Sequence, residues 1–180
     1  MTTWTKSTKL EPIIGNNVAD SGDGSIGFLQ NYFLGGQFKA RESQDLNKMH
    51  VLLQNPSSVD STTKVKGFVY STAGAKLSSS DETATQTLTA VSNTLVALTF
   101  SSPLTLAAGT EYILVVILEK DLAVNLRGND FRGIGVTANG GAGAYASPPA
   151  NLTFSERTNK ENPVIIGMNS TSTPVYYVQQ

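Results

Sequence analysis

From Tyr112 to Leu118 every side chain is apolar, a run (YILVVIL) with no polar position on either face. Side chains alternate between the two faces of a strand, so this run predicts a strand covered on both sides, in the middle of a sheet. The residues before it, SSPLTLAAGTE, read as the end of one strand and a tight turn, with Gly109 where a positive φ is needed. Elsewhere the apolar pattern has period two. KVKGFVY (64–70) sets Val65 and Val69 on one face against Lys64 and Lys66 on the other. TATQTLTA (83–90) places Thr85, Thr87 and Thr89 together, as on a half-solvated antiparallel strand, and LVALTF (95–100) follows. Residues 164–168 and 175–178 read as closing strands. Short strands at close spacing, with no sustained helical period, predict an all-β sandwich or jelly roll.

Two stretches read less simply. In residues 40–54, Leu46, Met49 and Leu53 fall at helical spacing, but Met49, Val51 and Leu53 also alternate with Lys48, His50 and Leu52. The second half is assigned as strand, and Asn55-Pro56 ends it. Residues 26–38 hold the first strand material, interrupted at Gly35 and Gly36, after a turn at DSGDG (20–24). Gly140, Gly141 and Gly143, followed by Pro148 and Pro149, mark a long irregular loop with Tyr145 near its centre. The expected organisation is an N-terminal arm and first strand over 1–37, then one mainly antiparallel jelly-roll domain over 38–180.

Composition narrows the function. The chain has 180 residues, net charge -1 and 15% charged residues, so no basic face advertises nucleic acid, and no apolar run is long enough to span a membrane. The absence of cysteine removes disulfides, Cys-based zinc sites and thiol nucleophiles. Ser and Thr make up about a fifth of the residues, the composition of displayed or secreted β modules. Yet the chain opens MTTWTKSTKLEPIIG, without the apolar stretch of a signal peptide. A protein made in the host cytoplasm and built for the outside of a virus particle satisfies both observations. A secreted module is the alternative.

The succession VKGFVYSTAGAKLSSS, then NTLVALTFSSPLTLAAGTEYILVVI, resembles jelly-roll modules with a galactose-binding-like fold. Such modules occur in tail and surface proteins of phages and appended to secreted glycan-active enzymes. The features carrying the resemblance are a strand ending at Tyr70 before a turn and a Phe-ending strand leading into Pro103–Tyr112. It covers roughly residues 38–118. It implies the fold, and it implies a structural calcium ion, for which Asp20 and Asp23 of DSGDG offer hard oxygen ligands.

Catalytic chemistry finds little purchase. His50 is the only histidine, which excludes multi-His zinc sites, and on the strand reading it points with Lys48 toward solvent. No spacing singles out a pair among the 14 carboxylates; Glu111, Glu119 and Asp121 flank the central strand where it leaves the core. LRGNDFRG (126–133) gathers Arg127 and Arg132 around Phe131. This is either a grip on a sugar, a carboxylate or a neighbouring subunit, or an ordinary hairpin made by Gly128 and Gly133. The glycine-rich loop lacks the Lys-Ser/Thr of a phosphate cradle.

The sequence therefore predicts a non-enzymatic structural protein of a phage particle, a capsid decoration protein or a tail or baseplate component. Its expected partners are other virion proteins and copies of itself. A carbohydrate-binding module of a secreted protein is the alternative. Trp4, Arg127, Phe131, Arg132 and Tyr145 are the expected partner- or glycan-binding residues, with no cofactor beyond the possible calcium.

Overall fold

The structure, a computed structural model, describes residues 13–15, 18–20, 25–28, 30–54, 63–77, 83–87, 94–120, 122–129, 134–157, 162–169, 174 and 177–179. Among these residues there is no helix. The strands in chain order are β1 (Ile14–Gly15), β2 (Val18–Asp20), β3 (Ser25–Phe28), β4 (Tyr32–Lys39), β5 (Gln44–Gln54), β6 (Lys64–Ser71), β7 (Gln86–Thr87) and β8 (Thr94–Leu106). They continue as β9 (Glu111–Leu118), β10 (Leu122–Asn129), β11 (Ile134–Asn139), β12 (Ser155–Glu156), β13 (Asn162–Pro163), β14 (Ile165–Met168) and β15 (Tyr177–Gln179). The first sheet runs β1-β14-β5-β10-β13, with β8 on β5 and β3 on β10; the second runs β12-β11-β4-β9-β6-β7. Both are antiparallel, while β2 and β15 form a separate parallel pair.

The two sheets bury one face each in a common core. Leu46, Met49, Val51, Leu98, Leu106 and Ile165 of the first meet Leu34, Val65, Val69, Leu114, Val116 and Leu118 of the second. The sheets come close enough that a Cβ on Gly67 would fall onto the Met49 methyl. Strand β9 lies between β4 and β6, with Val116 opposite both Leu34 and Gly67. Its other face is buried too: Ile113, Val115 and Ile117 join Phe33, Phe68, Tyr70 and Val136 in a second apolar cluster. The expectation of a central strand covered on both sides is met.

What covers that outer face is the chain's own glycine-rich loop. Ala144 and Leu152 are buried in the second cluster, and Tyr145 and Phe154 pack against it. Four aromatic rings meet edge to face there: Phe33 with Phe68 at 5.5 Å, Phe33 with Tyr70 at 6.1 Å, and Tyr70 with Phe154 of the loop at 5.4 Å. The loop is also tied by hydrogen bonds to the turn after β6. Tyr70 Oη donates to the Pro149 carbonyl (3.0 Å), Lys76 N to Ala150 O (2.8 Å) and Leu152 N to Gly74 O (2.9 Å).

Residues 107–110 do not make a hairpin. β8 pairs with β5 in one sheet and β9 with β4 and β6 in the other, so this turn carries the chain from sheet to sheet. Gly109 has φ +77, as the turn requires, and its N–H donates to Ala40 O. The Tyr112 hydroxyl accepts from Ala107 N at 3.0 Å and braces the corner. Pro103 falls where the β5–β8 register slips, between Leu46↔Leu104 and Lys48↔Thr99, so its missing N–H is not required by the ladder.

Several expectations need correction. Gly35 and Gly36 do not interrupt a strand; they lie inside β4, and a Cβ on Gly36 would collide with the Phe38 ring. β4 also runs through the expected boundary between residues 37 and 38. The Thr-rich segment 83–90 contributes only two described strand residues, Gln86–Thr87; Thr83 is buried and bridges to Phe100. The hairpin reading of 126–133 fails, because β10 belongs to the first sheet and β11 to the second.

Candidate functional site

β11 and β12 pair at Val136↔Glu156 and Thr137↔Ser155 and then part. They part because residues 150–152 are drawn away to bond the turn at 74–76, where Asn151 bridges Ala75. Between the diverging segments lies an open groove of about 640 Å³. Ala138, Asn139 and Gly140 form one wall; Asn151, Leu152 and Thr153 form the other, with Tyr32 and Pro149 closing it. Tyr32 is brought in by the β4–β11 ladder, which sets it opposite Asn139, 107 residues away in the chain.

Among the described residues that line the groove, none is Asp, Glu, Lys, Arg or His. Its polar groups are neutral amides and hydroxyls, set beside the Tyr32 ring and the Pro149 ring. Asn139 is oriented by its neighbours, its Oδ1 accepting the Gly141 N–H (2.9 Å), which turns Nδ2 toward the Tyr32 hydroxyl (3.5 Å). Asn151, Thr153 and Ser155 are exposed and make no side-chain hydrogen bond to other described residues. Such an arrangement can donate and accept hydrogen bonds and stack an apolar surface.

A smaller depression of about 260 Å³ lies across β4 and β11 and includes Gln37, Lys39, Arg41, Glu111 and Ile134. Its charges are partly spent within the protein, since Gln37 Nε2 donates to Glu111 Oε2 at 2.8 Å. Glu119, at the other end of β9, faces Lys64 at 3.6 Å. These carboxylates mark the ends of the buried strand, as their positions in the sequence suggest.

Of the expected binding residues, only Tyr145 has a described side chain. It is folded down onto the loop's own anchor: its hydroxyl is buried, Lys66 Nζ sits 5.0 Å from its ring centroid, and Lys66 Nζ also reaches its carbonyl at 3.5 Å. Arg127 is placed only through the backbone of β10, pairing with Ser25, and Asp20 through β2, pairing with Gln179. Trp4, Asp23, Phe131 and Arg132 lie outside the described residues, and so does any test of a calcium site at Asp20 and Asp23.

His50 overturns an expectation. It does share a face of β5 with Lys48, but that face is not solvent: His50 is 7% exposed, and its cross-strand neighbour Ile166 and the next outward residue Leu52 belong to a third apolar cluster. Nδ1 has no hydrogen-bond partner among the described residues. Burial, and then the Lys48 charge, hold its pKa below the ordinary histidine value, with hydrogen bonding to the Ile166 backbone acting weakly the other way.

The sequence marks Gly140 and Pro149 as loop residues but does not mark the groove as a site. Tyr32, Asn139 and Asn151 are ordinary polar and aromatic residues there, and only the β4–β11 register and the 74–76 tether bring them together. Comparison with protein-family models, with curated proteins and with solved structures finds no match.

Proposed function

We propose that this chain is a non-enzymatic structural protein of a virus particle, most simply a phage capsid decoration, tail or baseplate component, built on a jelly-roll sandwich with an N-terminal arm. The observation that carries the reading is how the described strands between residues 14 and 28 are used. β1 adds to the edge of β14, β2 pairs in parallel with β15, and β3 adds to β10. Three short strands from one leading segment are thus given to three different partners. An extended segment that stabilises itself by strand addition is the kind that can equally reach over a neighbouring copy.

The β2–β15 pair supports the same reading. Among the described residues it is a two-stranded parallel ribbon hydrogen-bonded to neither sheet, with β2 lying beside β10. A two-stranded ribbon is marginal by itself, and its outer backbone groups are suited to a further strand, which a second copy supplies in an assembly.

Size-exclusion chromatography with light scattering on the full chain tests this. The expected result is an oligomer whose mass falls when Ala19→Pro removes a backbone donor from β2. A monomer at all concentrations up to high micromolar overturns the assembly role. A coding neighbourhood without capsid or tail genes overturns its assignment to a particle.

A further inference from the structure

We propose that two copies of this chain join along the outer edge of β8, by antiparallel pairing of β8 with β8 of the second copy about a two-fold axis at Val96. The inference rests on the assembly reading and gives it a specific interface, at an edge distinct from the β2–β15 ribbon.

β8 is 13 residues long and, among the described strands, pairs with β5 alone. Among the described residues its opposite edge is bonded at one place: Thr99 O accepts from Ala84 N at 2.8 Å, with Thr83 bridging Phe100 beside it. That bond fixes the direction of the backbone. The N–H and C=O of one strand residue point to the same side, and those of its neighbours to the other. The Thr99 carbonyl points away from β5, so the backbone groups of Leu95 and Ala97 do as well. β5 agrees: Leu52, opposite Leu95, gives its N–H to Val164 O on its far side at 3.0 Å. Leu95 and Ala97 thus each send a donor and an acceptor off the edge, and Ala97 is exposed.

Edge strands are ordinarily guarded by charge, proline or a bulge. The later half of β8 has Pro103 and the register slip between Thr99 and Leu104. The earlier half has neither; Thr94–Thr99 pair with β5 without a break, and no residue of β8 is charged.

The free stretch is self-complementary, which selects a second copy as its occupant. With the axis at Val96, Leu95 stands opposite Ala97 of the second copy, and each such pair exchanges two hydrogen bonds. Every outward group of Leu95 and Ala97 is then used on both copies. Val96, only partly buried at the rim of the core, meets Val96 of the second copy on the same face. Thr94, the first residue of β8, falls opposite Leu98 of the second copy. The paired strands therefore stop one residue short of Thr99, where Ala84 already sits. An uncharged edge also brings no like charges together across the axis.

The test uses the full chain, which has no cysteine of its own. In this register the two Val96 residues form a non-hydrogen-bonded pair with Cα atoms about 4.5 Å apart, within disulfide range. The two Thr99 residues lie about 20 Å apart. Val96→Cys is expected to give a covalent dimer on mild oxidation, read on a non-reducing gel, and Thr99→Cys, at an exposed position, is not. Ala97→Pro removes an outward N–H and no bond to β5, so its circular dichroism should match wild type while association weakens about tenfold or more by light scattering. Failure of Val96→Cys to cross-link, or equal yields from Val96→Cys and Thr99→Cys, overturns the proposal, as does association that Ala97→Pro leaves unchanged. Where the wild-type chain is still an oligomer, those results remove this edge and leave the assembly reading standing. A wild-type monomer up to high micromolar overturns both.

Discussion

The two-faced burial of β9 makes a quantitative claim that a pair of truncations can test. Leu114 points into the core between the sheets and Ile117 into the cluster under the 140–154 loop, and both are 0% exposed. Truncating either to alanine removes three carbons. At about 0.8 kcal/mol per buried methylene this is roughly 2.4 kcal/mol of transfer energy. The residual cavity raises it to about 3–4 kcal/mol, within the measured span for such changes. Three residues along a strand is about 10 Å, and the two side chains lie on opposite faces, so the costs should add to within about 0.5 kcal/mol. The double variant would then lose about 6–8 kcal/mol, comparable to the whole stability of an ordinary domain. Urea unfolding followed by circular dichroism measures this, with Thr99→Ala, on an exposed position of β8, as the control expected within about 0.5 kcal/mol of wild type. An Ile117→Ala cost no larger than that of Thr99→Ala would refute the reasoning: the outer face would not be buried, and the loop would not be its cover.

His50 predicts a pH dependence with a definite sign. Its folded pKa lies below its unfolded value, so the neutral form belongs to the folded state, and its contribution is fully present above the unfolded pKa and lost as pH falls through the folded one. The chain has a single histidine, so the urea midpoint should fall between about pH 7.5 and 5.5, before the carboxylates titrate. His50→Leu should flatten that slope, and a slope that survives the substitution would sink the assignment. Tyr70→Phe removes the hydroxyl bond to the Pro149 carbonyl and should cost about 1 kcal/mol. It should also speed hydrogen exchange at the Lys76 and Leu152 amides, which bond the same tether; unchanged exchange there would show that Tyr70 does not hold the loop down.

The parts of the fold readable from the sequence are those fixed by local pattern. A run without polar positions could only be a strand covered on both sides, and β9 is one. Met49 and Val51 alternate into the core as their spacing requires, and Gly109 has the positive φ its turn demands. What was not readable depends on which sheet a strand joins. The glycines of 126–133 suit a hairpin, but β10 and β11 are claimed by different sheets, and no local feature announces that. His50 failed for a related reason. Alternation correctly placed it with Lys48, but whether that face is covered depends on Ile166 and Leu52 beside it, and so on a strand more than a hundred residues later. The groove was the least legible feature, because its walls come from β4, β11 and the loop, and its polar residues have no pattern of their own.

The cap and the groove are one construction. The second sheet presents Phe33, Phe68, Tyr70, Ile113, Val115 and Ile117 on its outer side, and the loop that carries Ala144, Leu152 and Phe154 takes that apolar surface out of water. To cover it, residues 144–154 must lie across the sheet and be fastened on the far side, at the turn following β6. Fastening Asn151 and Leu152 there pulls them off the line that β12 would otherwise follow along β11, and the separation opens after Thr137↔Ser155. The polar lining follows from the same geometry, since a segment whose apolar side chains turn down onto the sheet presents Asn151 and Thr153 upward. Residues at the 71–77 turn, none of which lines the groove, hold its Asn151–Leu152 wall in place from behind. A change there acts on the groove through the tether, without altering a single lining residue.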